Sequence, residues 1–150
     1  MSRMLARTLT AALLACAAAG CGSTSPAGPS GPPSPPNYDG QWTGTTSQGR
    51  TIMFTVQNQK VVALSVGYSF QACSGTWSEG NLSLPIGTPP NPAVPPPGPG
   101  FAYATGSPEQ PNYLYVSGFL TTSSAANGSL AFLNYQGCGN AIGIWSASKK

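Results

Sequence analysis

The chain has 150 residues, and only 6% of them are charged: six Lys or Arg, three Asp or Glu, and no His. The absence of His removes the commonest general base and metal ligand. Two of the basic residues, Arg3 and Arg7, lie at the amino terminus, and beyond them four basic residues stand against three acidic ones, a net charge of +1. So small a charge provides no field to attract nucleic acid, and no nucleic-acid partner is expected.

Residues 1–20 have the pattern of a secretory signal peptide. Arg3 and Arg7 form a basic head, residues 8–19 carry no charge, and small residues precede Cys21. This arrangement is typical of a cleaved export signal. A membrane-spanning helix would need roughly 20 predominantly apolar residues, so the short stretch favours a signal peptide over a span.

A cysteine directly after the cut makes this segment resemble the lipobox of bacterial lipoproteins. The resemblance implies a diacylglycerol on Cys21 and an acylated amino terminus, with Cys16 as the competing attachment site. Two or more acyl chains hold a protein stably on a bilayer surface. The expected location is the bacterial cell envelope, anchored by lipid to the outer membrane and facing the periplasm or the surface.

Residues 21–37 contain the lipidated cysteine and a tether rich in Pro, Gly and Ser. Such a composition cannot bury enough apolar surface to fold, and its prolines extend it. The remaining residues, 38–150, are predicted to form one domain.

From residue 38 onward, short alternating runs broken by Gly, Asn and Pro predict an all-β fold. We expect a small antiparallel meander of about eight strands, either barrel-like or a sandwich, with the barrel slightly favoured because the strands follow at hairpin spacing. The predicted strands are 41–46, 51–57, 61–66, 73–77, 101–105, 113–120, 129–135 and 141–147, with 81–84 as a marginal ninth.

One hairpin allows a prediction of register. Ile52, Phe54 and Val56 alternate in one strand, and Val62, Leu64 and Val66 alternate in the next. A three-residue turn at 58–60 would pair Ile52 with Val66, Phe54 with Leu64 and Val56 with Val62. Because a slip of one residue would turn every side chain to the other face, we predict this turn and not a two-residue one.

Later in the chain, Asn127-Gly128 has the left-handed preference of a tight hairpin turn. The flanking apolar pairs, Leu130 with Phe132 and Ile142 with Ile144, are expected to enter the core. Residues 85–100 carry eight prolines and are predicted to form a loop outside the sheet, since proline cannot donate to a ladder.

Given the lipobox resemblance, Cys16 is removed and Cys21 is acylated, which leaves Cys73 and Cys138. A disulfide between them suits an exported protein. The alternative, a metal site, would lack His and further Cys ligands, and no metal or other cofactor is predicted.

The three carboxylates, Asp39, Glu79 and Glu109, lie far apart in sequence and in segments that are typical of turns. Solvated loop charges are the favoured interpretation. We therefore predict that the protein is not an enzyme, with a carboxylate-dependent hydrolase as a remote alternative.

Gly40-Gln41-Trp42 opens the first predicted strand. Gly-x-Trp at this place resembles the lipocalin and avidin-like barrels, and this resemblance implies that Trp42 plugs one end of a barrel whose interior holds a small apolar ligand. The wider layout is also similar to uncharacterised domains of secreted bacterial proteins. Tyr113, Tyr115 and Phe119 alternate on one face and are the candidates for an exposed aromatic strip.

Two functions follow from these features. The first is a non-enzymatic ligand-binding or interaction module, whose partner is a small apolar or sugar ligand or another envelope protein. The second is a structural or adhesive surface lipoprotein without a small ligand. A deep aromatic-lined cavity would favour the first, whereas a solid core with an exposed strand edge would favour the second.

Overall fold

The computed structural model describes residues 34–71, 73–87 and 98–150. The predicted signal peptide, the lipidation site Cys21 and most of the tether therefore lie outside the described residues, as does the middle of the proline-rich segment. Within the described ranges, no helix is both long enough and apolar enough to cross a membrane.

The described residues form nine antiparallel strands and one short 3-10 helix. The elements in chain order are β1 Gly40–Thr46, β2 Thr51–Gln57, β3 Lys60–Phe70, β4 Cys73–Glu79, β5 Leu84–Pro85, β6 Gly100–Ala104, β7 Tyr113–Leu120, β8 Ala125–Leu133, the 3-10 helix Tyr135–Gly137 and β9 Ala141–Lys149. The all-β prediction is confirmed.

All nine strands belong to one sheet with the order β4-β3-β2-β1-β9-β8-β7-β6, and β5 adds to β3. The sheet is a half-barrel, so the sandwich alternative is wrong. A bridge between Gly87 and Gly100 links the chain after β5 to β6. The predicted loop 85–100 is thus paired at both ends, and Pro85 belongs to a strand at the position opposite Lys60.

The predicted register of the β2–β3 hairpin is right for the pairs far from the turn and wrong for the pair next to it. Ile52 pairs with Val66 and Phe54 pairs with Leu64, as expected. Val56, however, pairs with Val61, and the register shifts between Thr55 and Val56. Val62 is the extra residue of a β-bulge, which absorbs the one-residue slip that a two-residue turn would otherwise cause.

The turn itself consists of Asn58 and Gln59, which both have positive φ, 51° and 59°. This conformation matches the twist of a two-residue hairpin. The Asp39 carboxylate stabilises it by accepting hydrogen bonds from the backbone N–H groups of Asn58 and Gln59, each at 3.0 Å. The sequence-based prediction of the turn did not include this contact, because Asp39 lies 19 and 20 residues away in sequence.

Two predictions for the last strands are also wrong. Asn127 and Gly128 lie inside β8 and form no turn, since Gly128 pairs with both Gly118 and Trp145. A Cβ atom on Gly128 would come within 2.6 Å of the Trp145 ring, so glycine is needed here for close packing. Since Trp145 faces inward, Ile142 and Ile144 face outward and are 78% and 69% exposed, whereas Leu130 and Phe132 are buried in the core as predicted.

Candidate functional site

The inner face of the sheet is filled by aromatic side chains. Trp42 stacks on Phe54 with ring centroids 5.4 Å apart, and Phe54 also contacts Phe101 and Trp145 at 5.3 and 5.8 Å. Trp42 has no exposed surface, and its indole N–H donates to the Tyr38 carbonyl at 3.0 Å. The candidate ligand residue Trp42 therefore packs the core and presents no surface to a ligand in this structure.

A second aromatic cluster lies at the other end of the inner face, next to the disulfide. It comprises Tyr68, Phe70, Phe132 and Tyr135, with neighbouring ring centroids 4.9 to 5.6 Å apart. The Tyr68 hydroxyl donates to Gln136 Oε1 at 3.1 Å. Burial, and next the adjacent Tyr68, raise the pKa of Tyr135 above its usual value.

The predicted disulfide between Cys73 and Cys138 is confirmed, with the two Cα atoms 5.9 Å apart. It connects the start of β4 to the segment just before β9. Among the described residues, every buried side-chain nitrogen and oxygen has a hydrogen-bond partner. No unsatisfied polar group on the inner face therefore points to a ligand site there.

The candidate aromatics of β7 occupy the outer face, opposite the inward Leu114 and Val116. Tyr113 is only 9% exposed, whereas Tyr115 and Phe119 are half-buried. Between them Ser117 forms a hydrogen bond with Ser129 of β8 at 2.9 Å. Two of the three residues thus retain exposed aromatic surface, and the three do not form one continuous exposed strip.

Phe119 lies in a groove on the outer face, which has a volume of about 750 Å³. Ile144 lies across from Phe119, and Asn127, Ser129 and Ser146 supply amide and hydroxyl groups between and beside them. The groove therefore combines two large apolar side chains with several neutral hydrogen-bonding groups. Sequence reasoning missed Ile144, because Ile142 and Ile144 alone do not reveal that the neighbouring Trp145 takes the inward position.

A second groove, of about 380 Å³, runs over the outer face of β1 to β4. Met53 lines it and is 46% exposed, and Glu79 and Lys150 also line it. Its exposed apolar content is smaller than that of the groove at Phe119, since Met53 is its only large outward apolar side chain that is exposed.

The free end of the sheet at β4 carries a half-buried aromatic pair. Trp77 of β4 contacts Tyr103 of β6 with ring centroids 5.1 Å apart and planes tilted by 40°. Burial, and next the nearby Glu79 carboxylate, raise the pKa of Tyr103 above its usual value. Trp77, Tyr103 and Glu79 therefore form one cluster, which the alternation of either strand alone could not have revealed.

The three carboxylates lie at separate places in the fold. Asp39 holds the β2–β3 turn, Glu79 ends β4, and Glu109 lies in the loop between β6 and β7. In the described part of the chain, no group of three or more His, Cys, Asp or Glu side chains is placed to hold a metal ion.

Comparisons with family models, curated proteins and solved structures found no match to this chain.

Proposed function

We propose that this chain is an exported, lipid-anchored and non-enzymatic β domain that acts as a binding or interaction module of the bacterial cell envelope. The observation that carries the proposal is the groove on the outer face, where Ile144 is 69% exposed beside the half-buried Phe119. Large exposed apolar side chains grouped in a groove are typical of binding surfaces. The packed inner face favours binding on the outside of the sheet over a ligand inside it.

The lining of the groove favours a neutral ligand with both polar and apolar faces. An aromatic ring beside amide and hydroxyl groups suits a sugar, whose C–H face stacks and whose hydroxyls form hydrogen bonds. A small apolar molecule is the other class that fits. No charged side chain lines this groove, so an ionic ligand would gain little there.

The test is a titration of the whole purified chain against an array of neutral oligosaccharides and small apolar compounds, with two matched variants. Ile144→Ser removes the apolar wall of the groove, whereas Ile142→Ser removes an equally exposed isoleucine that does not line it. We expect Ile144→Ser to weaken binding at least tenfold and Ile142→Ser to leave it unchanged. Equal effects of the two variants, or no ligand in either class, would contradict this assignment.

The anchor has its own test, an intact mass of the protein purified from its own envelope. We expect a chain that begins at Cys21, heavier by its acyl groups and lighter by the two hydrogens lost in the disulfide. A Cys21→Ala variant should leave the membrane fraction. An unacylated chain that begins elsewhere would contradict the anchor without affecting the groove.

The second candidate function is that of a structural or adhesive surface lipoprotein. The specific observation that favours it is β4, which among the described strands ends the sheet with a free edge above a solid core. Free edges pair readily with further strands, so assembly with neighbours is the natural use of such a surface.

A further inference from the structure

β4 is the terminal strand of the sheet, and along Cys73–Glu79 its only described partner is β3. Five of its seven residues are exposed. In an antiparallel ladder, the backbone groups of successive residues point alternately to the two sides of the strand. The backbone groups of every second residue of β4 are therefore directed away from the sheet.

The positions of these free groups follow from the neighbouring strand. The N–H of Ser69 points away from β4 and donates to Gln48 Oε1, in the turn after β1, at 3.0 Å. Its ladder partner Ser74 must then point away from β3, and by the same alternation so do Thr76 and Ser78. These three residues offer a row of N–H and C=O groups at the free edge.

Between Cys73 and Ser78, no charged residue, Pro or bulge protects this edge, and the only charge of β4 is Glu79 at its end. Proteins commonly block a free edge with Lys, Pro or a bulge. The strand Cys-Ser-Gly-Thr-Trp-Ser-Glu contains neither Lys nor Pro, and its register with β3 is continuous from Phe70↔Cys73 to Leu64↔Glu79. The disulfide at Cys73 also fixes one end of the strand, which lowers the entropy lost when a partner pairs with it.

The side chains that would determine selectivity for a partner lie beside the free edge. Trp77 and Tyr103 present half-buried rings in contact with each other. The exposed Glu79 lies two residues from Trp77 on the same strand, and its charge contributes to the raised pKa of Tyr103. Aromatic faces next to a carboxylate attract Lys and Arg, through cation–π contact and through charge. The same two rings would also cover an apolar side chain at a neighbouring position of the partner strand.

We propose that the free edge of β4 binds an extended polypeptide segment of another protein, which adds a strand at Ser74, Thr76 and Ser78. A segment of about five residues spans this row, because successive strand residues rise by about 3.4 Å. The segment carries a Lys or Arg that lies against Trp77, Tyr103 and Glu79. Main-chain hydrogen bonds supply the affinity and this basic residue supplies the selectivity, as in other cases of strand addition.

This inference rests on the proposed function only in that the domain acts by binding; it needs neither the groove at Phe119 nor the lipid anchor. Its partner, a peptide segment with a basic residue, differs from the neutral ligand that suits the groove at Phe119. The two sites are on different strands, so each can be removed without the other.

The first experiment measures amide exchange by NMR on the whole isotopically labelled chain at two protein concentrations. We expect fast exchange at Ser74, Thr76 and Ser78 and slow exchange at Gly75 and Trp77. Protection of all five in the monomer would mean that the chain covers its own edge and would overturn the proposal. Protection that appears only at high concentration would assign the edge to a second copy of this chain, and would also overturn it.

The second experiment selects binders from a phage-displayed library of linear seven-residue peptides on the whole chain. We expect peptides enriched in Lys or Arg that protect the three free amides when they bind. Thr76→Pro removes one free N–H and no bond to β3, whereas the control Thr76→Val keeps the N–H and the strand. The loss of one hydrogen bond predicts a two- to tenfold weaker affinity for Thr76→Pro and no change for Thr76→Val.

A further variant keeps the test valid if Thr76→Pro fails to fold. Glu79→Lys reverses the charge beside the rings and should weaken the selected basic peptides about fivefold, with the difference reduced in high salt. Peptides without a basic bias, or peptides that protect amides elsewhere, would overturn the proposal. Ile144→Ser should leave peptide binding intact, so loss of sugar binding and loss of peptide binding report on separate claims.

Discussion

Trp42 and Trp77 show how differently the centre and the edge of this sheet use the same residue type. Trp42 lies at the centre of the sheet, has no exposed surface and stacks on Phe54. Trp77 lies on the terminal strand, is half-buried and contacts Tyr103 of a strand with which β4 forms no ladder. Both residues point to the inner side of the sheet. The position of a strand in the sheet, and not the identity of the side chain, decides whether its aromatic residue stabilises the fold or remains accessible to a partner.

The largest expected effect is a difference in the free energy of unfolding that is lost when each of these two tryptophans is replaced with alanine. Trp42→Ala should lower the free energy of unfolding by about 4 kcal/mol, because it opens a cavity under Phe54. Trp77→Ala removes a ring that is already half-exposed and should cost about 1 kcal/mol. Urea unfolding followed by circular dichroism measures both. Similar losses for the two variants would mean that the edge is packed as tightly as the centre.

The disulfide joins the exposed edge strand to the packed part of the fold. Replacing Cys73 and Cys138 together with Ser should lower the free energy of unfolding by about 3 kcal/mol, since the bridge spans 65 residues of chain. Reductant should destabilise the native protein by a similar amount and leave the double variant unaffected. If the double variant has the same urea midpoint of unfolding as the native protein, the bridge contributes nothing to stability.

The close packing of the centre can be tested with a single methyl group. Gly128→Ala would place a Cβ against the Ser117 carbonyl oxygen and within 2.6 Å of the Trp145 ring, and should cost about 2 kcal/mol or more through overpacking. Gly80, just after β4, has no heavy atom within 4 Å of such a Cβ, so Gly80→Ala is the matched control and should change little. Thermal unfolding of the pair provides the measurement. An unchanged melting temperature for Gly128→Ala would show that both the β7 backbone at Ser117 and the Trp145 ring can shift.

The β2–β3 turn, together with the bulge at Val62, sets the register that pairs Phe54 with Leu64. Gln59 adopts φ = 59°, which is unfavourable for a residue with a side chain. Gln59→Gly should therefore raise the free energy of unfolding by about 1 kcal/mol, and should leave the hydrogen bond to Asp39 in place. Asp39→Asn should lower stability by a comparable amount. A destabilised Gln59→Gly would contradict the two-residue turn.

The smallest effect concerns pH and the edge cluster. The folded pKa of Tyr103 lies above its ordinary value of 10.0, through burial and then through Glu79. The unfolded chain thus releases this phenolic proton first. The stability contribution is complete below about pH 10 and decreases as the pH rises above it. Glu79→Gln should lower the pKa of Tyr103 and leave the pKa of Tyr135 unchanged, which NMR titration of the tyrosine rings can measure. An unchanged pKa of Tyr103 would mean that the Glu79 charge does not act on this ring.

The sequence alone was sufficient wherever a local pattern carries the information. Alternation predicted the strands and the outer pairs of the β2–β3 hairpin, and the cysteine count predicted the disulfide. These features depend on the period of a strand and on the number of available thiols, so no knowledge of distant contacts is needed.

The tertiary structure decided the features that depend on residues far apart in sequence. Asp39 stabilises the turn at Asn58 and Gln59, and the bulge at Val62 then restores the register. Trp145 needs Gly118 and Gly128 beneath it, which keeps Asn127-Gly128 inside β8 and turns Ile144 outward into the groove. Local alternation specifies that a strand has two faces, but only packing against neighbouring strands determines which face is buried.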